Sequence, residues 1–250
     1  MEKILSLLIT TSAIPILILF TSTIYDGMNS FNGEATFNIS STTLLNYLLT
    51  ILVFSTMSIS IKSYVKIYVE DNGIVELNKV YAYIKSNILQ YLVMGLLIFL
   101  LAIVGWFLCL IPGIYLSVTF VVTGSLYVFQ GRGIFDSIGD SFSFVKENWW
   151  DTFGIVLVIF ILLVVTSGVF AAPNLIYTMG KTFTAIEDGD ITKVSSLFGD
   201  PLYIVLAFIS SMGQYFLQAI AMISYTLVYF DINEQKNASG SIDMIDNLGS

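Results

Sequence analysis

The sequence predicts an all-α integral membrane protein with six transmembrane helices, two cytoplasmic amphipathic interfacial helices and an internal repeat of helix-hairpin units. Three observations carry the prediction. First, 56% of the 250 residues are hydrophobic and only 11% are charged, whereas a water-soluble domain carries roughly 25% charged residues. Second, five runs contain no Asp, Glu, Lys or Arg: 4–25, 35–61, 86–131, 152–180 and 201–230. A spanning helix needs ~20 apolar residues to cross a ~30 Å hydrocarbon core. Four of the runs hold one span each, and the run 86–131 holds two, separated at Ile111-Pro112-Gly113. Third, the basic residues between the spans fall on one side. With the N-terminus inside, Lys3, Lys62, Lys66, Lys79, Lys85, Arg132, Lys146 and Lys236 face the cytoplasm, and only Lys181 and Lys193 face out. This is the positive-inside pattern, and it places both termini in the cytoplasm.

The elements follow in chain order. The first span is expected at about 4–24. Its leading Met1-Glu2-Lys3 carries one acid and one base, and no A-x-A site follows the apolar run, so it reads as an uncleaved span rather than a signal peptide. Residues 25–42 are polar and read as an external loop containing the sequon Asn38-Ile39-Ser40. The second span is placed at about 43–62, the third at 88–110 and the fourth at 112–130, with Pro112-Gly113 as the tight turn between the last two. The fifth is placed at 152–172 and the sixth at 202–230. Pro15 and Pro173 read as kinks or span ends. Between the last two spans, Asp190 followed by Ile191, Val194, Leu197 and Phe198 predicts a short capped helix on the outer surface. Residues 233–250 are rich in Asn, Ser, Gly and Asp and read as a disordered cytoplasmic tail, leaving 1–232 as a single polytopic domain.

The repeat is written in two heptapeptides, Tyr81-Ala82-Tyr83-Ile84-Lys85-Ser86-Asn87 and Phe142-Ser143-Phe144-Val145-Lys146-Glu147-Asn148. Around the first, Ile74, Leu77, Tyr81, Ile84 and Ile88 step by three or four. Around the second, Ile134, Ile138, Phe142, Val145 and Trp149 do the same. That spacing puts each set on one helix face. The charged backs carry Glu76, Lys79 and Lys85 in one copy, and Asp136, Asp140, Lys146 and Glu147 in the other. Interfacial helices are therefore expected at about 74–87 and 134–148, each leading into a span. Their lysines can snorkel toward headgroup phosphate. Span ends echo each other as well: Tyr68-Val69-Glu70, Val128-Phe129-Gln130 and Tyr229-Phe230-Asp231, with Gly73-Ile74 and Gly133-Ile134 after the first two.

The stretch 111–118 (IPGIYLSV), the stretch 133–154 (GIFDSIGDSFSFVKENWWDTFG) and the stretch 225–232 (YTLVYFDI) resemble a bacterial polytopic family. They are similar to the membrane domain attached to some glycerophosphoryl diester phosphodiesterases and to YciC-like membrane proteins. The shared elements are the Pro-Gly turn, the Asp-Ser of an amphipathic helix, the Asn-Trp-Trp entry to a span and the final Tyr-x-Asp. Asp231 is followed here by Ile232-Asn233-Glu234, where the family usually has a basic residue. The resemblance implies a bacterial cytoplasmic (inner) membrane location and no particular activity.

Chemistry is excluded more readily than assigned. The chain has no His and one Cys, Cys109, so His-dependent triads, His-bearing zinc sites and an intrachain disulfide are ruled out. Cys109 lies in an apolar stretch and is expected to pack. Asp136 and Asp140 stand one helical turn apart, but a hard cation wants about six oxygen ligands, so they read as a solvated helix face. Glu187-Asp188-Gly189-Asp190 lacks the calcium-loop spacing and reads as a turn with a helix cap. No acid or base is expected in the interior of a span, which argues against proton coupling. The residues left are Lys85, Asn87, Lys146, Asn148, Trp149 and Trp150, as contacts to lipid or a partner, and Gln214 and Gln218, as interhelical glue or a polar lining within the membrane. The expectation is a non-enzymatic membrane scaffold or accessory subunit. It needs no cofactor or metal and binds no nucleic acid. Its expected partners are membrane lipids and a further protein or a second copy of the chain. The alternative is a transporter or binding protein for a lipid-like or neutral solute.

Overall fold

The computed structural model is all-helical over the residues it describes, 2–30, 41–189, 194 and 196–237. Its elements are α1 (Glu2–Ser30), α2 (Ser41–Glu70), α3 (Leu77–Leu108), α4 (Leu110–Phe120), α5 (Thr123–Gln130), α6 (Ile134–Lys146), α7 (Trp149–Glu187), a 3-10 turn (Ser196–Gly199) and α8 (Pro201–Asn237). Six segments are long and apolar enough to cross a membrane: α1, α2, α3, the α4–α5 pair, α7 and α8. This is a multi-pass membrane protein. The sequon Asn38-Ile39-Ser40, the residues 190–191 that open the expected surface helix, and residues 238–250 of the expected tail lie outside the described residues.

The helices pack in chain order, α1 on α2, α2 on α3 and α3 on α4, and α8 closes the bundle against α2 and α7. One core joins Val118, Val122 and Leu126 to Phe144, Val145, Val228 and Tyr229. Another sets Ile16 and Leu19 against Val53, Met57, Ala219 and Met222. α7 stands outermost. In its spanning segment the apolar side chains face outward, with Val158, Phe160, Leu162 and Val165 all exposed, as a lipid-facing helix requires. Two side-chain contacts tie both chain ends to the same end of the bundle. Lys3 donates to the Val75 carbonyl between α2 and α3 (3.3 Å), and Lys236 donates to the Ser143 carbonyl of α6 (3.0 Å).

Five expectations need correction. The third and fourth spans do not turn at Pro112-Gly113. The break is at Cys109, whose backbone is extended (φ −177°, ψ 159°), and Pro112 lies in the first turn of α4, where its missing N–H has no intrahelical partner to lose. Gly113 serves the hairpin differently: a Cβ there would sit 2.9 Å from the Trp106 ring of α3. Cys109 is exposed at this apex rather than packed. Pro173 does not end a helix, because α7 runs through it to Glu187, and membrane helices tolerate an interior Pro. The region from Asn233 is not a tail throughout, since α8 continues to Asn237. Its last turns are held by Asn148 donating to Gln235 (2.6 Å) and Gln235 donating to Asp231 (3.1 Å).

The fifth correction concerns the interfacial helices. The second exists as the separate helix α6, but the first does not: residues 77–87 are the opening turns of α3, continuous with the span. The apolar faces are also used within the protein. Val145 and Phe144 are buried in the core, Ile134 and Ile138 pack beside Tyr91 and Tyr127, and Leu77 and Tyr81 pack on Val75 and Val80. Ile74 is the exposed exception.

The turn into α8 uses a cap that the sequence signals as Asp-Pro. Asp200 Oδ1 accepts from the Leu202 N–H (2.9 Å), and Pro201 fills the first helical position. Asp200 Oδ2 accepts from the Tyr177 hydroxyl of α7 (2.5 Å) and lies 3.7 Å from Lys181. The Tyr177 bond, then the Leu202 N–H and the Lys181 ammonium, hold the Asp200 carboxyl below the usual carboxylate range. A depressed carboxyl stabilises the fold above its unfolded pKa, and that contribution is lost as pH falls through the folded value. The thermal midpoint in detergent should therefore fall on acidification below about pH 4. In Asp200→Asn it should start lower and respond less to the same acidification. An identical pH response in the two proteins would mean that the cap does not set it.

Candidate functional site

The candidate site is a cavity of about 500 Å³ walled by α2, α3, the α4–α5 pair and α8. Its wall is predominantly apolar, with Phe54, Met94, Ile98, Phe120 and Met222 among the lining residues. A few polar groups interrupt that wall: Ser55 and Ser58 of α2, Tyr91 of α3 and Gln218 of α8. Mostly apolar clefts with a few convergent polar groups are the usual form of a ligand site.

Lys62 lines this cavity. It is 4% exposed and lies eight residues before the end of α2, about 12 Å along the axis at 1.5 Å per residue. The second span is expected to end at about residue 62, but α2 continues for about two turns beyond it to Glu70, so Lys62 is an ionisable side chain buried inside the bundle rather than a solvated residue at a helix end. Lys62 Nζ donates to Ser58 Oγ (2.8 Å), which in turn shares a hydrogen bond with the Tyr91 hydroxyl (2.7 Å). Among the described residues no carboxylate pairs with Lys62; Lys66, one turn further on, is the α2 lysine that reaches Glu70 (3.9 Å). An ionisable group within a membrane segment is costly and is therefore a functional-site marker.

A polar ladder continues from Tyr91 toward the basic end of the bundle. The rings of Tyr91 and Tyr127 meet edge to face at 5.8 Å. The Tyr127 hydroxyl donates to Gln90 Oε1 (2.7 Å) and Asn87 Oδ1 (3.3 Å). Gly124 is what allows Tyr91 and Lys62 to approach α5: a Cβ there would sit 2.3 Å from the Tyr91 hydroxyl and 3.3 Å from Lys62 Cε. The break between α4 and α5 falls at Val121–Val122, and Phe120, Val121 and Gly124 all contribute to the cavity wall. Broken helices are tolerated at membrane depth where the loosened backbone is buried in protein or lines a cavity.

The other sequence-selected residues divide into three groups. Gln214 and Gln218 do line cavities, but two different ones. Gln218 faces the Lys62 cavity. Gln214 faces a second cavity of about 490 Å³ toward the α1–α2 connection, with Asn46, Asn174 and Ser210. Tyr47 and Thr50 line both. Asn174 Oδ1 is buried there without a hydrogen-bond partner among the described residues. Asn87 and Asn148 are structural, joined to Tyr127 and Gln235 respectively. Trp149 is stacked between Tyr115 (5.5 Å) and Phe153 (5.3 Å). Lys85, Lys146 and Trp150 are exposed, Trp150 by 77%, and belong to neither cavity. Asp140 pairs with Arg132, and no group of three or more potential metal-ligating acids or thiols occurs among the described residues.

The two heptapeptides make equivalent contacts. The second aromatic of each meets the first residue of a span-end triplet. Tyr83 donates weakly to the Val128 carbonyl (3.4 Å), and Phe144 stacks on Tyr229 (5.4 Å). Each ring also carries a lysine over its face, Lys66 at 5.0 Å on Tyr83 and Lys236 at 5.1 Å on Phe144.

Sequence reasoning missed Lys62 and Tyr91. The signal for Lys62 was present, since Ser55, Ser58 and Lys62 step by three and four along one helix face. No family model, curated protein or solved structure matches the chain.

Proposed function

We propose that this chain is a non-enzymatic membrane protein that binds a lipid-like amphiphile in the cavity between α2, α3, α4–α5 and α8. The observation that supports this reading is an apolar cavity with a buried lysine on its wall. The scaffold reading ranks first on composition alone; the cavity moves ligand handling ahead of it. The bacterial inner-membrane location, the cytoplasmic placement of the basic end with both termini, the internal repeat, and kinship with the phosphodiesterase membrane-domain group belong to the same proposal. The repeat is supported by the paired Tyr83 and Phe144 contacts, and the kinship by residues 111–118, 133–154 and 225–232.

Native mass spectrometry of the chain, purified in a mild nonionic detergent, tests the reading. A bound lipid-like molecule should be retained at near one per chain. Ala102→Phe places a ring in the α3 wall of the cavity and should reduce that occupancy several-fold while leaving the helical circular dichroism unchanged. An unliganded chain carrying a stoichiometric protein partner would return the scaffold reading to first place.

A further inference from the structure

The charge on the cavity wall bears on the ligand's head group. We infer that the cavity takes an amphiphile with a single anionic head, a carboxylate or phosphate monoester, held by Lys62, and an alkyl tail running toward Tyr47. The inference rests on the reading that the cavity binds a lipid-like molecule, and it deepens that reading.

Three observations converge on it. A lysine ammonium has three donors, and only the bond to Ser58 Oγ engages Lys62 among the described residues. A hydroxyl cannot neutralise a buried cation, and an isolated buried charge is unfavourable until an opposite charge joins it. A bound anion would supply both the missing charge and the missing acceptors. Second, the surroundings carry acceptor capacity for a cation only weakly: the cavity wall contains no Asp or Glu. A cationic head would therefore face Lys62 uncompensated. Third, the cavity is elongated. Tyr47 and Lys62 are fifteen residues apart on α2, about 22 Å along the helix at 1.5 Å per residue. That length suits an extended alkyl segment lying along the apolar wall of Phe54, Met94 and Ile98.

The test compares three probes of equal chain length, laurate, dodecyl phosphate and dodecanol, with inorganic phosphate as a headgroup-only control. Binding to the purified chain in nonionic detergent is read by native mass spectrometry. The expected result is that laurate, dodecyl phosphate or both bind the unmodified chain at least tenfold more tightly than dodecanol, and that inorganic phosphate binds far more weakly than dodecyl phosphate. Lys62→Met should level the three alkyl probes, and Lys62→Arg should preserve the preference. The relative affinity of laurate and dodecyl phosphate identifies the head. Dodecanol binding as tightly as the anions would overturn the inference and leave the cavity reading intact. An anion preference that survives in Lys62→Met would overturn it by placing the charge recognition elsewhere. Inorganic phosphate matching dodecyl phosphate would overturn the alkyl-chain assignment. Failure of all three alkyl probes to bind the unmodified chain would remove the cavity reading along with the inference. The comparison on the unmodified chain decides the headgroup question even if a Lys62 variant does not fold.

Discussion

Gly213→Ala is expected to loosen α7 from α8 and lower the thermal midpoint in detergent. A Cβ at Gly213 would lie 2.2 Å from Phe170 Cδ1 and 2.5 Å from Cγ. The clash reaches the base of the ring, so a small swing of its tip cannot relieve it. Either Phe170 changes rotamer or the two helices separate. Overpacking of this kind costs about 1–3 kcal/mol, and α7 has no other extensive partner to absorb the displacement, since it packs chiefly on α8. Phe170→Ala in the same chain should relieve much of the loss, giving a double variant more stable than additivity predicts. Additive effects of the two substitutions would show that the close approach is not what fixes the α7–α8 spacing.

Gly124→Ala is expected to dismantle the cavity's polar end. Its new methyl would meet the Tyr91 hydroxyl at 2.3 Å and the Tyr91 Cζ at 3.2 Å. Tyr91 is 4% exposed and tied to Ser58, so it has little room to retreat. Displacing it would break the Ser58 bond and shift the group that Lys62 donates to. Ligand retention should fall at least as far as in a cavity-filling variant. Adding Tyr91→Phe removes the clashing oxygen and should recover stability more fully than ligand retention. Retention undiminished in Gly124→Ala would mean that Tyr91 and Lys62 take no part in holding the ligand.

The helices were legible because charge is so sparse here. Each charge-free run contains the body of a spanning segment, and Gln214 and Gln218 stood out as polar interruptions in the last of them. The same rule hid Lys62. Treating the first lysine after an apolar run as the membrane boundary ended the second span at residue 62, whereas α2 continues to Glu70. Tyr91 was hidden for a different reason: a tyrosine near a span entry has an ordinary interfacial explanation, and only the partner helix shows it bonded to Ser58. Pro173 and Pro112 misled in opposite directions. Pro173 reads as a kink or a span end and lies inside a helix; Pro112 reads as the turn and lies just after it. Proline limits local hydrogen bonding, but neighbouring helices decide whether the chain turns. The heptapeptides fixed the surface that packs, but not whether a helix break follows it. The break falls at Glu147 and Asn148, between α6 and α7, although Asn87 holds the matching position in the unbroken copy.

That difference gives the two copies unequal mechanics. Tyr83 and Phe144 are matching clasps at matching span ends, yet one is fused to its shaft and the other is jointed. Because Tyr83 sits on the same unbroken helix as the third span, any tilt of that span must drag its clasp along and strain the Val128 contact. Phe144 sits on α6, and Glu147 and Asn148 interrupt the helix between it and α7, so a tilt of α7 is not passed to the Tyr229 contact along one continuous helix. The two copies therefore differ in covalent coupling: the first clasp is continuous with its span, and the second is separated from its span by Glu147 and Asn148.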